Sequence, residues 1–301
     1  MLQGSDRIGP VEYRDYRVQY RLGSAPLVSL DQATWFDPSS SEIHRNPVKW
    51  LSDEVALIPL MNSPSEYLKL NTLNLGTGAI TDLQVPLTKV FAFSVSPDRT
   101  KIAIRGAREN PDWVTLNVLT YDLASKSFTE VYQCSPAGTG NPMDGLSWRF
   151  NDELYFDVAE GTVPAVMRWL AKEQRVETFL RQALNPQVSP SGDLIAYLSA
   201  PSVYGDPAPE GIMVKSFDGA IEQKIPGAIG RITWSDDSGT VAVSLQSTVW
   251  EHSVKPLPSG TTQEMALPAS VSRAEFRAGK LHLHVWKIVD GDIVGTDEIV
   301  K

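Results

Sequence analysis

The chain has 301 residues, of which 42% are apolar and 21% charged, the balance of a globular protein rather than a disordered one. Its formal charge of −9 makes nucleic-acid binding unexpected, because an acidic surface repels phosphate backbones. No run of about 18 apolar residues occurs, which argues against a membrane-spanning helix. The single cysteine, Cys134, excludes an intrachain disulfide.

The first 31 residues contain two strand patterns. Residues 1–10 lack the apolar core of a secretory signal. If Met1 is the native start, the protein is expected in the cytoplasm, whereas a trimmed chain would leave a periplasmic location open. Val11–Tyr20 and Pro26–Leu30 both predict β-strands.

A short pattern recurs six times along the rest of the chain. Each copy has a short apolar strand, a turn of the Ser-Pro-Asp-Gly type, and a second strand of small and β-branched residues. Ser96-Pro97-Asp98, Ser189-Pro190-Ser191-Gly192 and Ser235-Asp236-Asp237 are the clearest turns. The copies begin at Val48, Phe93, Leu146, Pro186, Ile232 and Ala274.

Equivalent positions in the second strands recur about every 40 to 50 residues, the length of one four-stranded propeller blade. Those positions are Ala56, Ala103, Tyr155, Ala196, Ala242 and His282. The small residues among them predict strands that are packed on both faces. The copies are followed by two more strands joined by a turn, as in a hairpin. The predicted blades are residues 46–87, 88–134, 143–182, 184–227, 228–268 and 269–301.

The sequence therefore predicts a single all-β domain, a six-bladed β-propeller. The last repeat has only Asp292–Val300 left for its outer strands. We expect residues 11–31 to supply the missing strand or strands of that blade, because closing the ring removes a free sheet edge. Seven blades is the alternative, if residues 11–45 form more of a blade.

The three Ser-containing turns named above resemble the repeat of TolB-type propellers, a bacterial WD-like class. The resemblance extends over residues 46–285. It implies a propeller that binds a protein partner, often in the periplasm, and so favours an extracytoplasmic location. The separate N-terminal α/β domain of the namesake has no counterpart in this sequence. The resemblance therefore implies the fold more than the namesake's own role.

No motif specifies a catalytic centre, and we expect neither a cofactor nor a metal. The string closest to a serine-hydrolase elbow, Gly145-Leu146-Ser147, lacks the second glycine and lies on a predicted strand. His282 and His284 share one face of a strand, but a zinc site would need a third ligand. The aspartates of the repeats occupy turn positions, where they bond nearby backbone N–H groups. They are Asp98, Asp152, Asp193, Asp236 and Asp237.

Propeller topology brings second-to-third-strand loops and blade-to-blade loops to one face, and the long loops fall mostly in these two classes. They are Gln32–Asn46, Arg105–Asp112, Cys134–Asp144 and Ala200–Glu210. Long loops on a rigid scaffold are the usual place for recognition, and aromatic residues and arginine dominate interface energetics. The candidate binding residues are Trp35, Phe36, His44, Arg45, Arg105, Arg108, Trp113, Asp144, Tyr204 and Asp206.

These features predict a non-enzymatic scaffold that binds a protein or peptide with its long-loop face. Two alternatives stay open. One is a hydrolase or lyase, glycosidase- or lactonase-like, with a site at the channel mouth; paired carboxylates for it would need a separation that a sequence does not show. The other is a carbohydrate-binding or structural assembly subunit.

Overall fold

A computed structural model describes the backbone of most of the chain. The described residues are 2–3, 7–8, 19–20, 28–29, 49–60, 69–74, 76–110, 113–135, 145–160, 162–203, 208–245, 248–254, 260–267, 270–277, 279–289 and 292–300. The regular elements in these ranges are all β-strands. Within them no helix is long and apolar enough to span a membrane.

The strands follow one another with short connections. The first twelve are β1 (Leu2–Gln3), β2 (Arg7–Ile8), β3 (Gln19–Tyr20), β4 (Val28–Ser29), β5 (Lys49–Trp50), β6 (Val55–Leu60), β7 (Lys69–Asn74), β8 (Ile80–Asp82), β9 (Lys89–Val95), β10 (Lys101–Asn110), β11 (Trp113–Asp122) and β12 (Ser127–Cys134). The next eight are β13 (Leu146–Arg149), β14 (Glu153–Glu160), β15 (Val163–Leu170), β16 (Arg175–Arg181), β17 (Ala183–Val188), β18 (Leu194–Ser199), β19 (Gly211–Ser216) and β20 (Glu222–Pro226). The last seven are β21 (Arg231–Trp234), β22 (Thr240–Leu245), β23 (Thr248–Ser253), β24 (Thr261–Ala266), β25 (Ser270–Arg277), β26 (Lys280–Val289) and β27 (Asp292–Val300).

Consecutive strands form antiparallel sheets in chain order. Sheets I (β5–β8), II (β9–β12), III (β13–β16), IV (β17–β20) and V (β21–β24) each have four strands, the arrangement predicted for a propeller blade. Sheet VI contains β25, β26 and β27 in the order β27-β26-β25. A small separate sheet places β3 between β1 and β4.

The chain divides into two compact units. One comprises Met1–Ser135 and Val289–Ile293, and the other comprises Pro136–Ile288 and Val294–Lys301. In the first unit, sheets I and II bury a common core that includes Leu57, Leu70, Phe93 and Ile102. Neither sheet could hide its apolar faces alone, so the two are stabilised by stacking.

The second unit stacks its sheets in chain order. Tyr155 of sheet III and Ile195 of sheet IV belong to one core cluster. Ile212 of sheet IV and Trp234 of sheet V belong to the next, and sheets V and VI share a third that includes Leu283. Within this unit, successive sheets from III to VI thus bury apolar residues against one another.

The second strands are packed on both faces, as predicted from their small residues. Ala103, Ala196 and Ala242 have no exposed surface, and in β10 the buried run extends from Ile102 to Ala107. By contrast, the fourth strand β20 alternates exposed and buried residues, as expected of a strand with one solvated face.

The turns between first and second strands contain the predicted aspartate bonds in two copies. Asp98 accepts from the backbone N–H of Thr100 at 3.1 Å, and Asp237 accepts from that of Gly239 at 2.9 Å. Asp152 instead pairs with the Lys172 ammonium at 2.5 Å. In these two copies the turn is therefore local in origin, since Asp98 and Asp237 each reach only two residues along the chain.

Ring closure and blade number stay predictions. Most of residues 11–31, which are expected to close the last blade, lie outside the described residues. The two short strands described there, β3 and β4, pair with each other, and β3 also pairs with β1.

Candidate binding face

The second and third strands of a sheet meet at one end, here called the hairpin end. The hairpins of sheets II, III and V each close over two residues, between Asn110 and Trp113, Glu160 and Val163, and Leu245 and Thr248. First strands begin at this same end. It is the part of each sheet at which the sequence predicts recognition.

Exposed apolar side chains concentrate at the hairpin ends. Among the side chains that the structure describes, four large apolar ones are exposed. Val114 (36% exposed), Val163 (37%) and Leu245 (42%) lie within two residues of a second-to-third-strand turn, in three different sheets. The fourth, Phe150 (49%), lies at the opposite end of sheet III.

The expectation of a long loop over Arg105–Asp112 is wrong. β10 continues to Asn110, and all ten of its residues pair with β11. On its other side β10 pairs with β9 across a bulge at Arg105/Gly106. Gly106 permits this close approach, because a Cβ there would lie 2.0 Å from the carbonyl oxygen of Lys89. The charged sequence suggested a loop, but two neighbouring strands satisfy its backbone.

Arg105 is a buried residue rather than a surface contact. It lies within β10, opposite Val118, and is only 3% exposed. Burial raises the pKa of the Cys134 thiol, and the positive charge of Arg105 nearby opposes that rise. The thiol therefore stays protonated at neutral pH, which makes it a poor nucleophile.

Arg108 is half-buried and held in place by neighbouring groups. Its Nε donates to the carbonyl of Pro86 at 3.0 Å, and its Nη1 lies 2.6 Å from a carboxylate oxygen of Glu130. The same oxygen accepts from Asn117 at 3.1 Å, and Asn117 accepts from the Thr115 hydroxyl at 2.9 Å. These bonds fix the guanidinium at the hairpin end of sheet II.

In the second unit, Asn185 connects three sheets at the same end. Its backbone N–H donates to the buried carboxylate of Asp157 in sheet III at 2.7 Å. Its side-chain amide donates to the carbonyl of Gly230, just before sheet V, at 3.4 Å. Asn185 has a positive φ of 53°, a conformation that asparagine tolerates better than most residues. The hairpin ends of sheets III, IV and V are therefore held together by polar contacts.

The Ala200–Glu210 connection is a loop, as expected, and its described parts contact neighbouring elements. Ala200 donates its N–H to the carbonyl of Gln182, and Val203 donates to that of Thr162 in the β14–β15 turn. Glu210 pairs with Lys224 of β20 at 2.9 Å. Residues 200–203 thus lie against the hairpin end of sheet III, which bears the exposed Val163.

Most of the predicted binding residues lie outside the part that the structure describes. Arg105 and Arg108 are placed as above, and Trp113 begins β11, with only its backbone described. The others fall outside the described residues: Trp35, Phe36, His44, Arg45, Asp144, Tyr204 and Asp206.

Sequence reasoning missed Val114, Val163 and Leu245. A signal for two of them exists: Val163 directly follows Gly161-Thr162, and Leu245 directly precedes Gln246-Ser247. An apolar residue beside a short polar turn has few neighbours to cover it. Both positions lie beside short turns and not in the long loops at which binding was predicted.

Ser147, in the string closest to a serine-hydrolase elbow, takes part in a bond between two sheets. The Ser147 hydroxyl accepts from the backbone N–H of Val188 at 2.8 Å and is buried, so it joins sheets III and IV. No group of three or more His, Cys, Asp or Glu residues in the described part is arranged to hold a metal ion. His282 is half-buried on β26, and the side chain of His284 lies outside the described residues.

Comparison with known proteins identifies the fold. No protein-family model matches the chain, and no curated protein matches it by sequence. Solved structures do resemble it. Oligogalacturonate lyase from Vibrio parahaemolyticus has a TM-score of 0.57 at 10% identity, over 99% of this chain and 84% of that one. The β-propeller domain of the trilobed protease from Pyrococcus furiosus has a TM-score of 0.52 at 14% identity, over 81% and 80%.

The chain therefore has the β-propeller fold, which confirms the predicted class. It is also similar to TolB from Acinetobacter baumannii, with a TM-score of 0.52 and 13% identity over 83% of this chain. It spans 65% of that TolB chain, a little less than two thirds. The resemblance to TolB-type propellers is thus confirmed at the level of structure, and at these identities the likeness shows the fold alone.

Proposed function

We propose that the protein is a non-enzymatic scaffold that binds a protein or peptide partner at its hairpin ends. The observation that carries the proposal is the position of Val114, Val163 and Leu245. Three of the four exposed large apolar side chains among the described residues lie beside second-to-third-strand turns. Each of these side chains leaves exposed apolar surface at the end of its sheet, and burial of such surface is one way in which a protein partner is bound.

Two further features support this proposal. Arg108 and Asn185, at the hairpin ends of sheets II and IV, are hydrogen-bonded within the protein, which orders these positions before a partner binds. Pre-organisation lowers the entropy cost of binding. The TolB-type resemblance implies a protein partner as well. In this proposal Trp35, Phe36, His44, Arg45, Trp113, Asp144, Tyr204 and Asp206 also contribute to the binding surface.

A phage-displayed random peptide library, selected on the immobilised protein, tests the proposal directly. Burying a valine or leucine side chain contributes about 1.5 to 3 kcal/mol. We therefore expect Val163→Glu or Leu245→Glu to lower the affinity of the protein for the selected peptides at least about tenfold. The affinities are measured by calorimetry or surface plasmon resonance.

The control is Phe150→Glu, which charges an even more exposed apolar residue at the opposite end of sheet III. This control should retain the peptide affinity. Peptides that bind the wild type, Val163→Glu and Leu245→Glu equally well, or that lose affinity only with Phe150→Glu, would contradict the proposal. Far-UV circular dichroism verifies that each variant is folded.

A lyase is the second candidate function, favoured by the likeness to two solved oligogalacturonate lyases. Besides the Vibrio enzyme, an oligogalacturonate lyase in complex with manganese has a TM-score of 0.51 at 12% identity over 97% of this chain. Incubation with oligogalacturonate and Mn²⁺ tests it. The product, an unsaturated uronate, is detected by its ultraviolet absorbance. Its formation would favour the lyase over the scaffold.

A further inference from the structure

A buried histidine joins the outer strands of sheets IV and V. His252 lies on β23 and is 2% exposed. Its Nε2 lies 2.9 Å from Oε1 of Gln223, on β20 of sheet IV. Its Nδ1 lies 2.8 Å from the hydroxyl of Thr262, on β24 of its own sheet. Both ring nitrogens therefore have a partner, and one of the two bonds crosses between sheets.

These partners define the neutral form of the ring. The Gln223 amide donates through its nitrogen to the carbonyl of Val254 at 3.4 Å, which leaves its oxygen facing His252. Because an amide oxygen only accepts, the imidazole proton lies on Nε2. Nδ1 then accepts from the hydroxyl of Thr262. A neutral imidazole satisfies both bonds without a charge.

The ring is tightly enclosed. A Cβ on Gly260 would lie 2.5 Å from its Cε1 and Nε2 atoms, so the backbone at Gly260 closes directly over it. On β22 the residue paired with His252 is the apolar Val241. A positive charge on the ring would be separated from water by these neighbours, and a buried charge without a counter-charge is costly.

The charged groups on the packed strands are engaged elsewhere. On β20, Glu222 and Lys224 flank Gln223 and, like all neighbours along a strand, point to the opposite face. They pair with Lys215 at 3.6 Å and with Glu210 at 2.9 Å.

On the strands of sheet V, two glutamates lie near the ring in sequence. Glu251 precedes His252 on β23 and points to the opposite face. Glu264 lies on the same face of β24 as Thr262. It accepts from the indole N–H of Trp250 at 3.1 Å. Among the described residues, the groups that bond to the ring are uncharged.

We propose that His252 is a pH-sensitive staple: it joins sheets IV and V while neutral and releases their outer strands when it is protonated. The proposal concerns stability and goes beyond the binding function. It predicts that β20, β23 and β24 open in mild acid before the inner strands of the same sheets do.

Burial lowers the pKa of His252, which agrees with this direction. A histidine in the unfolded chain has a pKa of about 6.5. The stability that the neutral ring contributes to the folded state is therefore fully present above about pH 6.5. It is lost as the pH falls through the lower pKa of the folded state. Within that window the opening equilibrium shifts by up to about tenfold per pH unit.

Hydrogen exchange between pH 5 and pH 8, corrected for intrinsic rates, tests whether protonation of His252 opens these strands. In the wild type, the protection of amides in β20, β23 and β24 should fall up to about tenfold per pH unit below about pH 6.5, relative to amides of β14 in sheet III. His252→Gln, which has no titrating ring, should lose this slope. His282→Gln, at a half-buried histidine on β26, is the matched control and should behave as the wild type.

An equal pH slope in the wild type and in His252→Gln would overturn the proposal. A second measurement does not depend on a variant: the ring of His252 is titrated in the wild type by NMR. A folded-state pKa of about 6.5 or higher would also overturn it.

Discussion

At Gly106 the chain needs a residue without a side chain. A Cβ there would meet the carbonyl oxygen of Lys89 at 2.0 Å and Cδ1 of Leu87 at 2.8 Å. The nearer atom belongs to the backbone of a neighbouring strand, which cannot rotate away. One missing methyl group therefore allows β9 and β10 to stay paired across their bulge.

Gly106→Ala should destabilise the protein by about 1 to 3 kcal/mol, because the inserted methyl group forces the backbone of β9 to move. The measurement is urea unfolding followed by circular dichroism. Gly76→Ala is the control: its nearest neighbour would be Oδ1 of Asn74 at 3.4 Å, an ordinary contact. That variant should change stability by no more than about 0.5 kcal/mol. Equal effects of the two variants would contradict this explanation.

Phe150 and Gly192 form a complementary pair at the opposite end of sheets III and IV. Phe150 has a φ of +54°, which is unusual for a bulky residue, and its ring would lie 2.7 Å from a Cβ on Gly192. Gly192 itself has a φ of +77°. Phe150 lies in the first-to-second-strand turn of sheet III and Gly192 in that of sheet IV. The glycine thus provides both the left-handed conformation and the space for the aromatic ring of the preceding sheet.

At the scale of an element, one turn recurs with the same hydrogen bonds. Its serine donates to an aspartate two residues later, at 2.7 Å for Ser96 and 2.6 Å for Ser235. The serine oxygen also accepts the N–H five residues on, at 3.0 and 2.8 Å. The same geometry occurs at Ser216, between the third and fourth strands of sheet IV, where the sequence pattern did not reveal it.

Asp237→Ala should destabilise the protein by about 1 kcal/mol, because it removes the acceptor for the Ser235 hydroxyl and for the N–H of Gly239. Asp236→Ala is the control, since Asp236 is its exposed neighbour in the same turn. This second change should have an effect near zero. Thermal unfolding of both variants is the measurement, and a larger loss for Asp236→Ala would contradict the assignment.

These turns also contribute to acid sensitivity. Burial raises the pKa of Asp98, but hydrogen bonds from Ser96 and Thr100 outweigh it and bring the pKa below the ordinary value. The bond from Ser216 lowers the pKa of Asp218 in the same way. Because both folded-state pKa values are lowered, the turns stabilise the protein fully above about pH 4 and lose that contribution as the pH falls through the lowered values.

At the scale of the whole molecule, the C-terminal repeat contributes three of the described strands to its sheet. Sheet VI takes β25, β26 and β27 from the end of the chain, whereas sheets I to V have four consecutive strands each. The prediction that the N-terminal segment completes this sheet follows from the cost of an open edge. In this prediction, pairing in sheet VI joins the start of the chain to its end.

Deletion of residues 1–31 should expose the edge of β27 and speed hydrogen exchange of its amides. Amides of β14, in the middle of sheet III, serve as the internal control and should be unaffected. We also expect a lower melting temperature and a greater tendency to aggregate, because an unpaired strand invites pairing with another chain. Unchanged exchange in β27 would show that the N-terminal segment does not close this sheet.

The sequence predicted the fold better than the site, for a physical reason. The repeated turns are specified by residues two to five positions apart, and Ala103, Ala196 and Ala242 indicate two-sided packing from their size alone. Arg105 was misplaced because its charged segment predicted a loop, whereas β10 continues through it and pairs with β9 and β11 on either side. Val163 and Leu245 were missed because their exposure reflects where a strand ends in space, which their residue types do not reveal.

The contact between the turns of sheets IV and V has a consequence for how such a chain can evolve. The N–H of Ser191 donates to the Ser238 hydroxyl at 3.0 Å, so adjacent positions of the same repeated turn supply donor and acceptor. A copy of the repeat with a serine at the position of Ser238 carries both halves of this connection. An in-frame gene duplication of one repeat would then bring its own attachment to the units before and after it, and proteins of this kind could gain or lose modules without inventing a new interface.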